Sequence, residues 1–588
     1  FDLDGGSGTV DYAGSIGNGT GASVEITGRT GGVVTLSGGI TDGGDDAGGI
    51  SLTGNTGATI TLSGTVELST TFSPAFVATG GGTVNVTGSA NTLATTSGTA
   101  LQVANTTIGA SGMTFRSIST NGANKGIVLD TTGSTAGLTV TGNGGICTSD
   151  STGGCSGGSI QNSAGADDSS SSPVGTGIVL KNTKAPSLTR MLIQNATNYA
   201  IRGTDVSGFT MANSVIKGTN GTNGTTPFDD SSVLFENLTG SAAITDTYVA
   251  GGREDNISVT NSTGSLDRLT LTKVTVGQNS SAEGNDGIRL ESTSTAGALK
   301  ATILDSDLTG SRADLVDYSH NGSGDGDLVI TDSAFSNDQT GIVTGGGGLT
   351  LSSDKPSGTT TMNITNNTFR NAVGAAVLVY KAAGASTLSG TFDGNTIGVL
   401  NDANSGSKEG SALKLQNVGQ GTLTWAVTNN QIRGYNNHGI EVQGGGGATA
   451  TSGNINTTIT GNTIAQPGDN PDVEGIPKNG IHFNIGVQTG DTFAACAVLG
   501  GAGALANTIS SSGKEGVGVP NSYNDFRLRQ RQLTSFRLPG YTDANNDNAK
   551  VVNFVVGRNS VGGTPIGQAT NTVASGGGGF TGSGTTCP

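Results

Sequence analysis

Few side chains in this chain of 588 residues could carry acid, base or metal chemistry. Histidine occurs three times, as His320, His438 and His482. The adjacent aspartates, Asp45-Asp46, Asp167-Asp168 and Asp229-Asp230, stand in stretches rich in glycine, serine or proline that are typical of turns. A glycosidase needs two carboxylates held at a fixed separation across the sugar, and pairs in turns do not supply that arrangement. We therefore predict no catalytic residue.

The three histidines are too far apart in sequence to form a metal-binding motif of the usual spacing. His438 precedes Gly439-Ile440 and His482 follows Gly480-Ile481, so a repeating fold could bring these two rings close together. Two surface or corner histidines are the simpler interpretation, and a functional pair is the alternative. No metal site is predicted.

The one basic cluster of the sequence consists of Arg527, Arg529, Arg531 and Arg537. The first three alternate with other residues, among them Leu528, in the pattern of a strand with one face in water. Stabilisation of a terminal cap is the favoured role for this cluster. Binding of an acidic partner or a glycan is the alternative.

Charge and composition exclude some classes of function. The net charge of −16 argues against a nucleic-acid partner, because phosphate binding needs a basic surface. Acidic residues in turns, such as those at 42–46 and 325–327, serve solubility or weak Ca²⁺ binding. The sequence has no Asp-x-Asp-x-Asp-Gly loop, so no cofactor is assigned.

A short pattern repeats four times between Ile364 and Ile464. Each copy opens with an apolar residue, has asparagine three positions later and closes with an apolar residue, and the copies start 28, 35 and 32 residues apart. This period is that of one turn of a β-solenoid. If each copy turns a corner, the asparagine amides of successive coils hydrogen-bond in a ladder. The predicted ladder comprises Asn367, Asn395, Asn430 and Asn462, with Ser214, Ser306 and Ser333 as a stack of hydroxyls in weaker copies.

A second marker, Gly-Ile followed by an apolar residue two positions on, recurs from Gly49 to Gly480. It indicates a second strand in each coil, and the period-2 alternation of Val, Ile and Thr supports strands elsewhere. The sequence thus predicts an all-β solenoid of roughly seventeen coils. We expect the solenoid over residues 1–488, with an insertion loop at about 145–172, and a β-rich capping region over 489–588.

The four cysteines indicate an oxidising, secreted setting, because their number is even and none forms a metal-type Cys-x-x-Cys pair. Cys147 and Cys155 fit a local disulfide, and Cys496 and Cys587 are predicted to tie the C-terminal tail back to the cap. No apolar stretch is long enough to span a membrane. The sequence opens in mid-repeat without a signal-peptide pattern, so we expect a processed chain or a piece of a larger precursor.

The coil length, the asparagine corner and the Gly-Ile strands resemble those of right-handed parallel β-helix proteins. Within that group the chain resembles very large secreted bacterial β-strand-repeat proteins of the adhesin-like type. Those proteins end in such a helix, followed by a block similar to residues 525–541 and a cysteine near the terminus. The resemblance implies a right-handed parallel β-helix over nearly the whole chain and an extracellular or cell-surface location in bacteria. It implies no activity, since β-helices serve enzymes, tailspikes and adhesins alike.

We therefore expect a non-enzymatic extracellular structural protein, such as a rod-like adhesin, a stalk or a head-to-tail filament subunit. A polysaccharide lyase or hydrolase, or a glycan-binding tailspike-like protein, is the alternative. An enzyme of that kind would need acidic and basic side chains grouped on one face. Ice or mineral binding by Thr-x-Thr rows is a weaker hypothesis, because the rows become irregular after residue 100.

End-to-end association of copies is expected, because an uncovered coil exposes unpaired strand N–H and C=O groups. A head-to-tail contact of this kind propagates as a fibre. The segment 523–541 is the expected surface, and it would meet the acidic first coil of the next copy. The candidate interface residues are Phe1, Tyr12, Phe526, Arg527, Arg529, Arg531, Arg537 and Tyr541. A surface glycan is the other expected partner.

Overall fold

The computed structural model describes residues 1–222, 230–339, 346–473, 478–510, 524–543, 547–562, 567–573 and 577–588. The chain consists of two compact units, Phe1–Gly287 and Ile288–Pro588. Both units are built almost entirely from short strands that are separated by turns.

The first unit contains thirty strands among its described residues. In chain order they are β1 Asp2–Asp4, β2 Val10–Tyr12, β3 Ile16–Asn18, β4 Val24–Thr27, β5 Val33–Leu36, β6 Ile40–Asp42, β7 Ile50–Thr53, β8 Thr59–Leu62, β9 Val66–Thr70, β10 Phe76–Thr79, β11 Thr83–Val86, β12 Thr92–Thr95, β13 Leu101–Ala104, β14 Thr107–Phe115, β15 Ser117–Asn121, β16 Lys125–Asp130, β17 Leu138–Val140, β18 Gly158–Gln161, β19 Thr176–Lys184, β20 Ser187–Thr189, β21 Met191–Gln194, β22 Ile201–Ser207, β23 Thr210–Ala212, β24 Val215–Lys217, β25 Val233–Glu236, β26 Gly240–Thr245, β27 Tyr248–Val249, β28 Ile257–Asn261, β29 Leu266–Thr272 and β30 Thr275–Val276. The segment predicted as an insertion loop contains a short 3₁₀ helix, Thr152–Gly154, and one coil strand, β18.

Every third strand of the first unit belongs to the same parallel sheet. Sheet 1 contains β1, β4, β7 and so on to β28, sheet 2 begins with β2, and sheet 3 begins with β3. Glu25 of β4, for example, pairs with Asp2 on one side and with Ser51 on the other. Three strands per turn, each paired with its counterpart in the neighbouring turn, constitute a parallel β-helix.

The second unit continues the numbering and repeats the same order of sheets. Its strands are β31 Ile288–Ser292, β32 Leu299–Leu304, β33 Asp307–Leu308, β34 Val316–His320, β35 Gly326–Thr331, β36 Ala334–Ser336, β37 Leu349–Ser353, β38 Thr359–Thr365, β39 Thr368–Arg370, β40 Val377–Lys381, β41 Thr387–Asp393, β42 Thr396–Ile397, β43 Leu413–Asn417, β44 Thr422–Thr428, β45 Gln431–Ile432, β46 Ile440–Gly444, β47 Asn454–Thr460, β48 Thr463–Ala465, β49 Ile481–Ile485, β50 Ala494–Leu499, β51 Thr508–Ser510, β52 Phe526–Gln532, β53 Ser535–Arg537, β54 Ser560–Val561, β55 Gly567–Val573 and β56 Gly579–Thr581. Sheet 1 of this unit begins with β31, sheet 2 with β32 and sheet 3 with β33.

The parallel β-helix fold predicted from the sequence is confirmed in both units. Sheet 1 has ten strands in the first unit and nine in the second among the described residues, close to the roughly seventeen coils expected. The Gly-Ile markers begin strands of sheet 1, as in β7, β46 and β49. The asparagine repeats join a strand of sheet 2 to the following strand of sheet 3.

The corner between sheets 2 and 3 contains one residue with left-handed backbone conformation. In four coils of the second unit, Asn366, Gly394, Asn429 and Gly461 have φ of 58°, 66°, 57° and 69°. Glycine adopts this conformation without strain, and asparagine tolerates it better than most other residues. Each copy of the repeat therefore has asparagine or glycine immediately before its ladder residue.

Side chains of the strands alternate between an inner core and an outer surface. Ile364, Phe392 and Val427 occupy equivalent positions on successive strands of sheet 2, and all three are fully buried. Trp425 fits into the same core because the residue in register with it is Gly390, where an added Cβ would lie 2.7 Å from the indole ring. The core is a narrow apolar column that receives a few side chains from each coil.

Strand pairing continues beyond the boundary predicted at residue 488. β50 pairs with β47 and β53, and β52 pairs with β49 and β55. The one α-helix of the described residues, α1 Asn548–Val556, is capped at its N-terminus by Asp547, which accepts from the backbone N–H of Lys550. The pairing shows no break at residue 488, and a capping role for 489–588 stays a prediction.

Both disulfides pair as predicted. Cys147–Cys155 closes a loop with a sequence separation of 8 in the first unit, and Cys496–Cys587 closes one of 91 in the second. Arg537 also holds the tail, because its guanidinium group donates to the carbonyl oxygens of residues 583 and 586. None of the four cysteines is free, which indicates an oxidising environment.

Candidate functional site

A ladder of asparagines lies at the corner between sheets 2 and 3 of the second unit. The predicted members Asn367, Asn395, Asn430 and Asn462 occupy one coil each and are at most 1% exposed. Oδ1 of Asn395 accepts from the backbone N–H and from Nδ2 of Asn367, at 2.9 and 3.0 Å. Nδ2 of Asn395 donates to Oδ1 of Asn430 at 3.2 Å and to the Ile364 carbonyl at 2.9 Å. The buried amide therefore uses its full hydrogen-bonding capacity within the protein.

The ladder extends two coils further than predicted. Asn462 donates to Oδ1 of Asn507, and Asn507 donates to Oδ1 of Asn559, in each case from the backbone N–H and from Nδ2. A signal was present, since Asn507-Thr-Ile is the same triplet as Asn395-Thr-Ile. The separations of 45 and 52 residues between successive members obscured the repeat.

The three predicted serines lie between a strand of sheet 2 and the next strand of sheet 3, Ser214 in the first unit and Ser306 and Ser333 in the second, but they do not form a stack of hydroxyls. Oγ of Ser333 accepts from the backbone N–H of Ser306 at 3.1 Å, and Oγ of Ser214 accepts from that of Met191. Each serine hydroxyl donates back to a carbonyl of its own coil, two residues earlier. Serine is too short to reach the next side chain, so it satisfies only the backbone N–H at the corner. Ser333 joins the ladder by donating its own N–H to Oδ1 of Asn367 at 2.9 Å.

His438 and His482 are buried neighbours, so neither is a surface histidine, and only His438 lies at a corner between strands, shortly before β46. Each residue is 5% exposed, and Nε2 of His438 lies 2.6 Å from Nδ1 of His482. Glu441 joins them, because it is buried and pairs in register with His482 on the adjacent strand. Its Oε2 accepts from Oγ of Ser411 at 2.8 Å, and its Oε1 lies 3.6 Å from Nζ of Lys414. Glu441 was not predicted as a site residue, although an alignment of the Gly-Ile segments places it opposite His482.

Metal binding is one chemistry that this group could support, since its three residues bring ligand atoms within 4.8 Å of one another. The backbone N–H of Asn479 donates to Nδ1 of His438 at 3.3 Å, so the proton of that neutral ring is on Nε2. Nε2 then donates to Nδ1 of His482, and neither of the two facing nitrogens retains a free lone pair. Arg527 and Lys414 add positive charge that disfavours a cation. In this arrangement the two rings form a hydrogen-bonded histidine pair.

Burial determines the protonation state of all three histidines. Desolvation lowers the pKa of His438 to about 3, and nearby Arg527 contributes. Desolvation and the adjacent His438 hold the pKa of His482 well below 6.5. His320 is fully buried, its Nδ1 lies 2.6 Å from Oγ of Ser292, and burial lowers its pKa to about 4. The three rings are therefore neutral at neutral pH and act as fixed hydrogen-bonding groups.

Arg527, Arg529 and Arg531 form an arginine strip on the outer face of sheet 1 in the second unit. They alternate with buried residues of β52, the alternation expected for a strand with one face in water. Among the described residues, no carboxylate lies within 4.0 Å of their guanidinium groups. The pKa of Arg527 and that of Arg531 are lowered, mainly by burial and to a smaller extent by repulsion from neighbouring arginines of the strip. Three like charges thus lie along one strand without a carboxylate in direct contact among the described residues, and Asp491 acts on Arg531 only at longer range.

Two aromatic rings expected at an end-to-end interface are buried. Phe526 and Tyr541 are 2% and 1% exposed, so neither presents its ring to a partner. β52 is paired along both edges, and its segment therefore offers no open strand edge. Phe1 and Tyr12 pack on each other in the first unit with ring centroids 5.4 Å apart, and Tyr12 is 39% exposed. The arginine strip lies on a sheet face, so a contact through strand edges would not use it.

The acidic turns considered for Ca²⁺ and the aspartate pairs weighed for catalysis use several of their carboxylates internally. Asp45 accepts from the backbone N–H of Gly21 at 2.7 Å and of Ala47 at 2.8 Å. Asp168 accepts from the backbone N–H and hydroxyl of Ser170, and Asp325 lies 3.7 Å from Lys300. Asp229 lies outside the described residues. Ca²⁺ binding at these turns stays a prediction.

Comparisons of the chain with protein-family models, curated proteins and solved structures find no match. Among the described residues, no helix has the length and apolar character needed to cross a membrane.

Proposed function

We propose that this chain is a non-enzymatic structural protein of the bacterial cell surface or extracellular matrix, of the adhesin, stalk or filament type. The observation that supports the proposal best is the ladder from Asn367 to Asn559, whose buried amides bond to one another and to the backbone of adjacent coils. Polar groups are buried there to hold coils in register. The disulfides and the resemblance to secreted β-strand-repeat proteins support the location. End-to-end joining of copies remains a prediction.

An enzyme acting on polysaccharide is the alternative, and the group of Glu441, His438 and His482 beside the arginine strip is the observation that favours it. Three features of this group oppose catalysis. Its side chains are at most 6% exposed, and the pKa of each histidine is far below neutrality. The carboxylate is already paired with Lys414 and Ser411. The group therefore serves packing better than proton transfer to a substrate.

A depolymerisation assay distinguishes the two functions. The purified chain is incubated with polygalacturonate and with alginate, and new reducing ends and unsaturated products are measured over time. We expect the same background rate for the wild-type chain, for Glu441→Gln and for buffer alone. Turnover by the wild-type chain that Glu441→Gln abolishes would contradict the structural function and establish the enzyme.

A further inference from the structure

A row of side chains crosses the outer face of sheet 1 in the second unit and ends at the arginine strip. Tyr380, Gln416, Gln443, Asn484 and Arg529 pair in register from strand to strand, on β40, β43, β46, β49 and β52. All five are partly exposed. With ~4.8 Å between strands, the row is about 19 Å long. Three amides thus lie between an aromatic ring and a guanidinium group.

The positive end of this row has hydrogen-bond donors that the described residues do not satisfy. Arg529 makes no hydrogen bond or ion pair with any described residue, and Nε of both Arg527 and Arg531 is buried without an acceptor. Arg531 donates from Nη2 to Asn484 at 2.8 Å. Neighbouring guanidinium groups that are partly desolvated repel one another, and an external anion would relieve that repulsion.

We infer that the row binds a linear acidic polysaccharide whose carboxylate or sulfate groups lie on the arginine strip. Guanidinium groups offer paired N–H donors that match the geometry of such anions. Amide side chains offer both donors and acceptors for sugar hydroxyls. Tyr380 supplies an apolar ring with a polar tip at the far end of the row. This binding function goes beyond the structural role and does not rest on it.

The geometry favours a glycan over an acidic polypeptide. β49 and β52 are each paired along both edges, so a peptide cannot add to the sheet as another strand. An acidic peptide would contact the arginine strip through its carboxylates and leave the amides and Tyr380 unused.

The test measures binding of the full chain to polygalacturonate, a sulfated glycan, polyglutamate and single-stranded DNA by calorimetry. Arg529→Gln is the main variant, because Arg529 makes no hydrogen bond or ion pair with the described residues that its loss would break. Arg370→Gln is the matched control, since it removes an exposed arginine at the end of β39 in sheet 3. We expect an acidic glycan to bind, Arg529→Gln to weaken it at least about tenfold, and Tyr380→Ala to weaken it severalfold. Arg370→Gln should leave binding unchanged.

Binding of polygalacturonate identifies a carboxylated ligand and binding of the sulfated glycan identifies a sulfated one, and either result supports the inference. Four results would overturn it. In the first, neither glycan binds, and in the second, Arg370→Gln and Arg529→Gln weaken glycan binding equally. In the third, Tyr380→Ala leaves glycan binding unchanged, and in the fourth, polyglutamate or DNA binds as tightly as the glycans. Failure of this binding test does not affect the proposed structural role, because the depolymerisation assay tests that role separately.

Discussion

Replacing Asn430 by alanine is expected to lower the free energy of unfolding by roughly 2–4 kcal/mol. The change removes the Oδ1 that accepts from the backbone N–H and from Nδ2 of Asn395. It also removes the Nδ2 that donates to Asn462 and to the Phe392 carbonyl. These groups are buried at the corner, where water cannot replace the lost partners, and each unsatisfied donor costs about 1–3 kcal/mol.

Denaturant unfolding followed by circular dichroism measures this loss. Asn454→Ala is the matched control, because Asn454 is exposed and its amide makes a single 3.4 Å hydrogen bond to Thr422. Asn430→Ser should lie between the two, since a serine hydroxyl can still accept from the backbone N–H of the preceding coil, as Ser333 does. Unfolding of Asn430→Ala at the same denaturant concentration as the control would show that the ladder does not stabilise the coils.

Removing the long disulfide by Cys496→Ser and Cys587→Ser together is expected to destabilise the chain by about 4–5 kcal/mol in the chain-entropy model. The bridge closes a loop with a sequence separation of 91, so it restricts the unfolded chain strongly. The Cys147–Cys155 bridge, with a separation of 8, should contribute only about 2–3 kcal/mol.

Denaturant unfolding of the two double variants, compared with the oxidised wild-type chain, measures both contributions. Arg537 still holds the tail through two carbonyl oxygens when the bridge is absent, so the native fold should persist in the variant. Equal losses for the two variants, or a larger loss for the short bridge, would contradict the ranking by loop length.

The fold was predictable because two local rules recur in the sequence. A left-handed corner favours asparagine, glycine or aspartate, as at Asn366, Gly394 and Asp332, and the next position holds a buried polar side chain that bonds to the adjacent coil. The full length of the ladder was not predictable from period alone. The long connections before Asn507 and Asn559 hid two coils whose strands pair as regularly as the others.

The histidine group could not be predicted from alternation. Glu441 and His482 occupy outward-facing positions between inward-facing apolar residues, where a half-exposed side chain is the normal outcome. Their burial depends on long-range packing over that face, which a strand pattern does not encode. The serines show a related limit to prediction. The sequence repeat predicted that Ser214, Ser306 and Ser333 lie at the corner, but their hydrogen bonds depend on the length of the serine side chain.

Hydrogen exchange at the ladder amides tests the central claim most directly. The backbone N–H groups of Asn367, Asn395, Asn430 and Asn462 each donate to the Oδ1 of the next ladder residue inside the protein. If the coils are held in register by this ladder, these amides exchange only when the second unit opens cooperatively, and they rank with its most protected strand amides. Exchange as fast as that of amides in exposed turns would contradict the ladder as the element that holds the coils together.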